Sequence, residues 1–238
     1  MWKSVYLSGI CSSKHGALYK IIIFISLFLV FGPDSIRAQN KPYFNEIAAF
    51  KEQDKKSFPA KHAILFTGSS SFRMWNNIQE DFPGYTILNR GFGGSTLQDV
   101  IYYAKDIILP YQPKQLVIYC GENDLASSDT VTAKMVIDRF RYLFTLVRKM
   151  YPGISVVFVS IKPSPSRERL LSRVKEANAG IRKFLAKQPN TSFADVFHKM
   201  IGKDGQINTG LFLEDNLHMN KSGYAIWQST IKPFLLKD

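Results

Sequence analysis

The chain has 238 residues, 45% hydrophobic and 21% charged, which excludes a disordered or fibrous protein and leaves room for one well-buried domain or at most two. Its formal charge is +12, yet the Lys and Arg residues are scattered and not interleaved with stacking aromatics, so solvated faces explain them better than nucleic-acid binding. With two cysteines, neither a disulfide framework nor a paired-cysteine zinc site is available.

Lys3, Lys14 and Lys20 precede an apolar run over residues 21–32, interrupted only by Ser26 and followed by Ile36, Arg37 and Ala38. This is the pattern of a secretory signal peptide, and the run is shorter than the ~20 apolar residues of a membrane span. The expectation is cleavage after Ala38 and export of a domain over 39–238, with no stable membrane insertion afterwards; an uncleaved anchor is the competing reading. Removal of 1–38 takes away four cations and one anion, so the charge of +12 falls to +9. It also removes Cys11, leaving Cys120 alone at the end of an apolar strand, where a buried structural thiol is expected.

In chain order, Phe44, Ile47, Ala48 and Phe50 predict an amphipathic helix over 41–56. A strand over 63–66 runs into the loop Gly68, Ser69, Ser70, Ser71, and Phe72, Met74 and Trp75 begin a short helical segment. A second strand over 85–89 ends at Gly91, Gly93 and Gly94, and Ser95 and Thr96 then cap a helix reaching Leu109. The run over 116–120 reads as a central parallel strand buried on both faces. A helix over 132–150, a strand over 154–161, a stiff loop at Pro163 to Ser166, a basic helix over 167–187, a short strand over 192–196 and a last helix over 221–235 complete the chain. Strands alternating with helices imply βαβ units, a mainly parallel sheet and one α/β domain.

Ser70 follows a strand in a loop of small residues, at the end of the sheet where ligands of open parallel sheets bind. To act as a nucleophile it needs a base, a group orienting that base, and donors for an oxyanion. Beyond residue 38 the histidines are His62, His198 and His218. His62 lacks a nearby acid and reads as a surface residue. His198 and His218 each follow an aspartate by three positions, Asp195 and Asp215. His198 lies among Val196, Phe197, Met200 and Ile201, a half-buried setting that suits a structural histidine, whereas Asp215 and His218 sit in a loop before a capped helix, the setting that active sites favour. Gly91, Gly93 and Gly94 allow a backbone N–H to approach a ligand, and Asn123 of Gly121, Glu122, Asn123, Asp124 offers a side-chain amide. Taken singly, a tight turn and an Asx turn explain these equally well. The stretch from Gly91 to Thr96 is a near miss to a dinucleotide fingerprint, and the G-x-S-x-G elbow, the P-loop and H-E-x-x-H are absent.

Together the four stretches resemble the SGNH hydrolases, the GDSL esterase and lipase family, over nearly all of residues 39–238 and in the family's order. The serine block is Gly68, Ser69, Ser70 within ILFTGSSSF, the glycine block NRGFGGST, the asparagine block GEND and the last block DNLH. The resemblance implies a flavodoxin-like three-layer α/β/α sandwich with about five parallel strands, and a serine esterase working through an acyl-enzyme without cofactor or metal. It implies Ser70 as nucleophile, His218 as base, Asp215 as its orienting acid, and an oxyanion hole from the Ser70 N–H, Gly94 and Asn123. Ser69 departs from the aspartate often found there, which touches the loop's local hydrogen bonding. The expected substrate is a short acyl group, such as acetyl, on carbohydrate. A lysophospholipase or thioesterase, with Phe72, Met74 and Trp75 lining an acyl groove, and a catalytically silent glycan-binding protein are the alternatives. Glu122 and the loop from Pro163 to Arg167 border the site without an assigned role.

Overall fold

The computed structural model describes residues 41–237, so the expected signal segment 1–38 and the start of the domain at 39 lie outside the described residues. From Asn45 onward the chain forms one compact unit. Its centre is a five-stranded, all-parallel sheet in the order β2-β1-β3-β4-β5, built from β1 (Ile64–Gly68), β2 (Ile87–Gly91), β3 (Gln115–Tyr119), β4 (Ser155–Val159) and β5 (Thr191–Ala194). This is the flavodoxin-like order, with β1 and β3 flanking the switch point where ligands of such sheets bind. Every residue of β1 and β3 is buried, as continuous apolar strands covered on both faces must be.

Helices cover both faces. α1 (Phe44–Lys56) precedes β1, and the short α2 (Ser70–Arg73) and α3 (Ile78–Asp81) lie between β1 and β2. They are followed by α4 (Leu97–Ile107), α5 (Glu122–Ser127), α6 (Ala133–Met150), α7 (Leu171–Leu185), α8 (Val196–Lys199) and α9 (Lys221–Ile231). α6 packs between α4 and α7 on one side. On the other, Ile64, Phe66, Val117, Tyr119, Val157 and Val159, alternate residues of three strands, form one core with Phe72, Trp75, Phe82, Met219 and Trp227. The rings of Phe72, Tyr119 and Trp227 meet edge to face, so the segment after Ser70 rests on a rigid aromatic floor.

Several expected boundaries shift for local reasons. The second strand extends to Gly91 because its pairing with β1 carries on to Gly68. The helix expected over 167–187 begins at Leu171, after a 3-10 segment at Pro165–Leu170, because the Ser166 N–H is drawn 3.0 Å from the Asn216 carbonyl and Arg167 leaves helical geometry. The last helix stops at Ile231, two residues before Pro233, which has no N–H to continue it. No helix among the described residues is long and apolar enough to cross a membrane.

Candidate active site

Three strands end at one level, with Gly68 of β1 paired to Gly91 of β2 and to Tyr119 of β3. The three loops that follow them therefore emerge side by side. Gly68 has φ of 134°, and a Cβ there would stand 1.9 Å from the Tyr119 carbonyl oxygen, so only glycine fits. The Ser69 N–H donates to that carbonyl at 3.1 Å, and Ser69 caps α2 by its backbone alone. Ser70, expected in a loop, is the first residue of α2; its side chain is half-buried and its N–H makes no hydrogen bond among the described residues. Asn89 pins this turn to β2, its amide donating to the Phe72 carbonyl at 2.7 Å and accepting the Gly91 N–H at 2.9 Å.

The loop after β2 is held at each residue but one. Phe92 N–H and Ser95 Oγ both donate to the Gly68 carbonyl at 3.0 Å. Gly93, with φ of 33°, donates its N–H to the Glu46 carboxylate at 2.9 Å. Thr96 and Asp99 close a capping box on α4. The exposed Gly94 N–H makes no hydrogen bond among the described residues. After β3, Gly121 at φ of 120° turns the chain into α5, whose second residue is Asn123. The Asn123 amide donates one proton to the Ser95 carbonyl at 3.1 Å and has a second to give. Its neighbour Asp124 is buried, accepts the Leu97 N–H and an Arg139 guanidinium N–H, each at 2.8 Å, and so ties α5 to α4.

The hydroxyl of Ser70 lies 3.0 Å from His218 Nε2, and Asp215 Oδ2 lies 2.5 Å from His218 Nδ1. The remaining carboxylate oxygen of Asp215 accepts the Leu217 and His218 N–H groups, each at 2.9 Å. Burial opposes ionisation of Asp215, but the bonds from the His218 ring and the two backbone N–H groups prevail, bringing its pKa from an ordinary 3.8 to about 2. An ionised carboxylate on Nδ1 fixes the tautomer in which Nε2 is bare and able to take the Ser70 proton. The loop is shaped by Asn216 in the left-handed region at φ of 53° and by the Phe212–Met219 bridge, and Asn220 caps α9 beyond it.

Of the expected residues, Ser70, His218 and Asp215 form one hydrogen-bonded relay, and Asn123 joins the glycine loop through Ser95. His198 stands apart: it pairs with Asp195 at 2.8 Å, but its side chain is 75% exposed, not half-buried as expected, because α8 turns only Val196 and Phe197 inward. His62 is exposed. Phe72 and Trp75 are buried in the core and Met74 is half-buried, with Met74, Trp75 and Tyr224 lining one side of a cavity of about 410 Å³. Cys120 is buried, its thiol 3.4 Å from the Ser95 carbonyl, and burial pushes its pKa well up. Among the described residues no group of three or more His, Cys, Asp or Glu side chains is placed to hold a metal. Glu46 and Asp124, which brace the loops after β2 and β3, carry no signal in one sequence, since each acts across 27 or more positions.

The model of the GDSL-like Lipase/Acylhydrolase family matches residues 62–226. A search of curated proteins finds no match. Among solved structures, a GDSL-like lipase from Bacteroides thetaiotaomicron is 22% identical with a TM-score of 0.64, covering 82% of this chain and 96% of its own. A lipase/acylhydrolase from Enterococcus faecalis is 20% identical with a TM-score of 0.59, covering 74% and 98%. An acetylxylan esterase from Geobacillus stearothermophilus, in a catalytic mutant form, is 12% identical with a TM-score of 0.60, covering 76% and 96%. At these identities the likeness is one of fold.

Proposed function

The chain belongs to the GDSL-like lipase/acylhydrolase family and is a carboxylic ester hydrolase, and on that premise we propose that Ser70 is its nucleophile, His218 its base and Asp215 the acid that orients the base. The observation that carries this is the relay of 3.0 Å and 2.5 Å from the Ser70 hydroxyl through His218 to Asp215. His218 takes the Ser70 proton as Oγ attacks the ester carbonyl. It then hands that proton to the departing alkoxide, leaving an acyl-enzyme, and activates water to release the acid by the reverse route. The carbonyl oxygen gains its negative charge among three donors, the Ser70 and Gly94 N–H groups and the second amide proton of Asn123, none of which is engaged elsewhere among the described residues.

The substrate reading is a short acyl group, acetyl above all, on an exposed carbohydrate. Phe72, two residues after Ser70, is packed wholly into the core and offers no face to an acyl chain, and an acetylxylan esterase shares the fold. Export with cleavage after Ala38 belongs to the same proposal, resting on the apolar run at 21–32 and its basic flank. The test is a series of p-nitrophenyl esters from acetate to long acyl chains, with acetylated xylan alongside. Highest kcat/KM on acetate, with acetate released from the xylan, is the expected outcome. A long-chain optimum overturns the substrate reading, and saturable binding of glycan without hydrolysis overturns the esterase reading.

A further inference from the structure

Beside the relay lies a group of buried charges that ester hydrolysis as described does not use. Glu122 is 5% exposed and Lys162 1% exposed, and both lie a few residues beyond strand ends, after β3 and β4. The Glu122 carboxylate accepts from Lys162 Nζ at 3.0 and 3.3 Å, from Ser164 Oγ at 2.5 Å and from the Tyr119 hydroxyl at 2.7 Å, with Arg167 Nη1 at 3.5 Å. Burial opposes its ionisation, but these cations and hydroxyls outweigh it and hold its pKa below the ordinary value. Lys162 also donates to Ser164 Oγ.

Taking two charges out of water costs several kcal/mol for each, and a fully satisfied buried pair is often no more stabilising than apolar residues of the same size. Stability is therefore a weak reason for it. Its position supplies another. Glu122 opens α5 immediately before Asn123, so fixing its carboxylate fixes the turn from which the Asn123 amide projects. Lys162 lies 5.6 Å over the ring of Phe212, one strand of the bridge that closes the loop carrying Asp215 and His218. Two residues after Ser164, the Ser166 N–H donates to the carbonyl of Asn216, next to Asp215. The pair thus touches the Asn123 turn on one side and the His218 loop on the other.

We propose that the buried Glu122–Lys162 pair is a positioning device that sets the distance between the Asn123 amide and the Asp215–His218 loop. This rests on the esterase reading above. Neither residue touches substrate; both act through Asn123 and His218. Misplacing either by about 1 Å lowers turnover by up to ~10²-fold while leaving substrate binding at the surface of the site intact.

The test uses the purified enzyme with Glu122→Gln, Lys162→Met and the double variant, measuring kcat and KM on p-nitrophenyl acetate, Tm, and the rate at which an organophosphate labels Ser70. Each single variant is expected to lower kcat and labelling by tenfold or more, on the order of the misplacement effect, with KM within about twofold. Each also lowers Tm, because one buried charge loses its partner. The double variant removes both charges, while Gln keeps one acceptor oxygen for the Tyr119 hydroxyl and can donate an amide N–H to Ser164 Oγ, so its Tm returns toward wild type but its kcat does not. A double variant that regains kcat together with Tm, or single variants with kcat within twofold of wild type, overturns the proposal. Wild-type enzyme that neither hydrolyses the ester nor takes up the probe brings down the esterase reading and this proposal with it, whereas an active wild type with unaffected variants brings down this proposal alone.

Discussion

The Asp195–His198 and Asp215–His218 pairs are the same local device placed in two settings. In each, an aspartate three residues upstream accepts the histidine N–H with one oxygen and meets the ring Nδ1 with the other, at 2.8 Å in the first pair and 2.5 Å in the second. They differ in what stands on the far side of the ring. His218 is 20% exposed and has the Ser70 hydroxyl 3.0 Å from Nε2. His198 is 75% exposed, and the Asp195 oxygen bound to it is shared with Arg182. A cavity of about 290 Å³ does open beside His198, lined by Lys175, Asn178, Ala179, Arg182, Phe193 and Phe197, but by no serine. An oriented imidazole and a cavity do not make a hydrolytic site unless a nucleophile lies within hydrogen-bond reach.

The sharpest way to break this comparison is to remove each ring and the Ser70 hydroxyl. Ser70→Ala and His218→Ala are each expected to lower kcat on p-nitrophenyl acetate by about 10⁴-fold or more, as loss of one member of such a relay does, while His198→Ala stays within twofold. Equal losses at the two histidines sink the distinction drawn here. A smaller effect tests the donors: Asn123→Ala should cost about 10² to 10³ in kcat, roughly 2.7 to 4 kcal/mol, and a loss below tenfold removes Asn123 from the oxyanion hole. The smallest effect concerns stability. Asp215 has its pKa lowered to about 2, so its ionised form favours the folded state above pH 3.8, and that contribution is lost as pH falls from 3.8 through 2. Because the side chain is 47% exposed, solvent screens much of it. Scans of Tm against pH should show Asp215→Asn converging on wild type at low pH, with the gap opening as pH rises through that window. A constant gap means that the carboxylate's charge contributes nothing.

Much of the fold was legible because it rests on short-range signals. The run over 116–120 reads as a buried strand from its apolar residues alone, and Thr96 reads as a cap from its hydroxyl. The elements that escaped are short or held from afar. α5 has six residues, too few for a helical period to show, and it forms between Gly121 and a buried Asp124 that braces α4. The start of α7 was displaced by the Ser166 bond to Asn216, a partner fifty positions away.

The site divides in the same way. The amino-acid sequence by itself determined the βαβ rhythm, the glycines that punctuate the strand ends, and the Asp-x-x-His spacing that orients an imidazole, because each depends on residues near one another in the chain. It presented two histidines with that spacing and chose between them only by setting and by resemblance. Only the tertiary structure decided which ring meets Ser70 across 148 positions, and that Glu122 and Lys162 share a buried contact across 40. Those distances follow from the register of the parallel strands, which brings loops far apart in the chain to one end of the sheet.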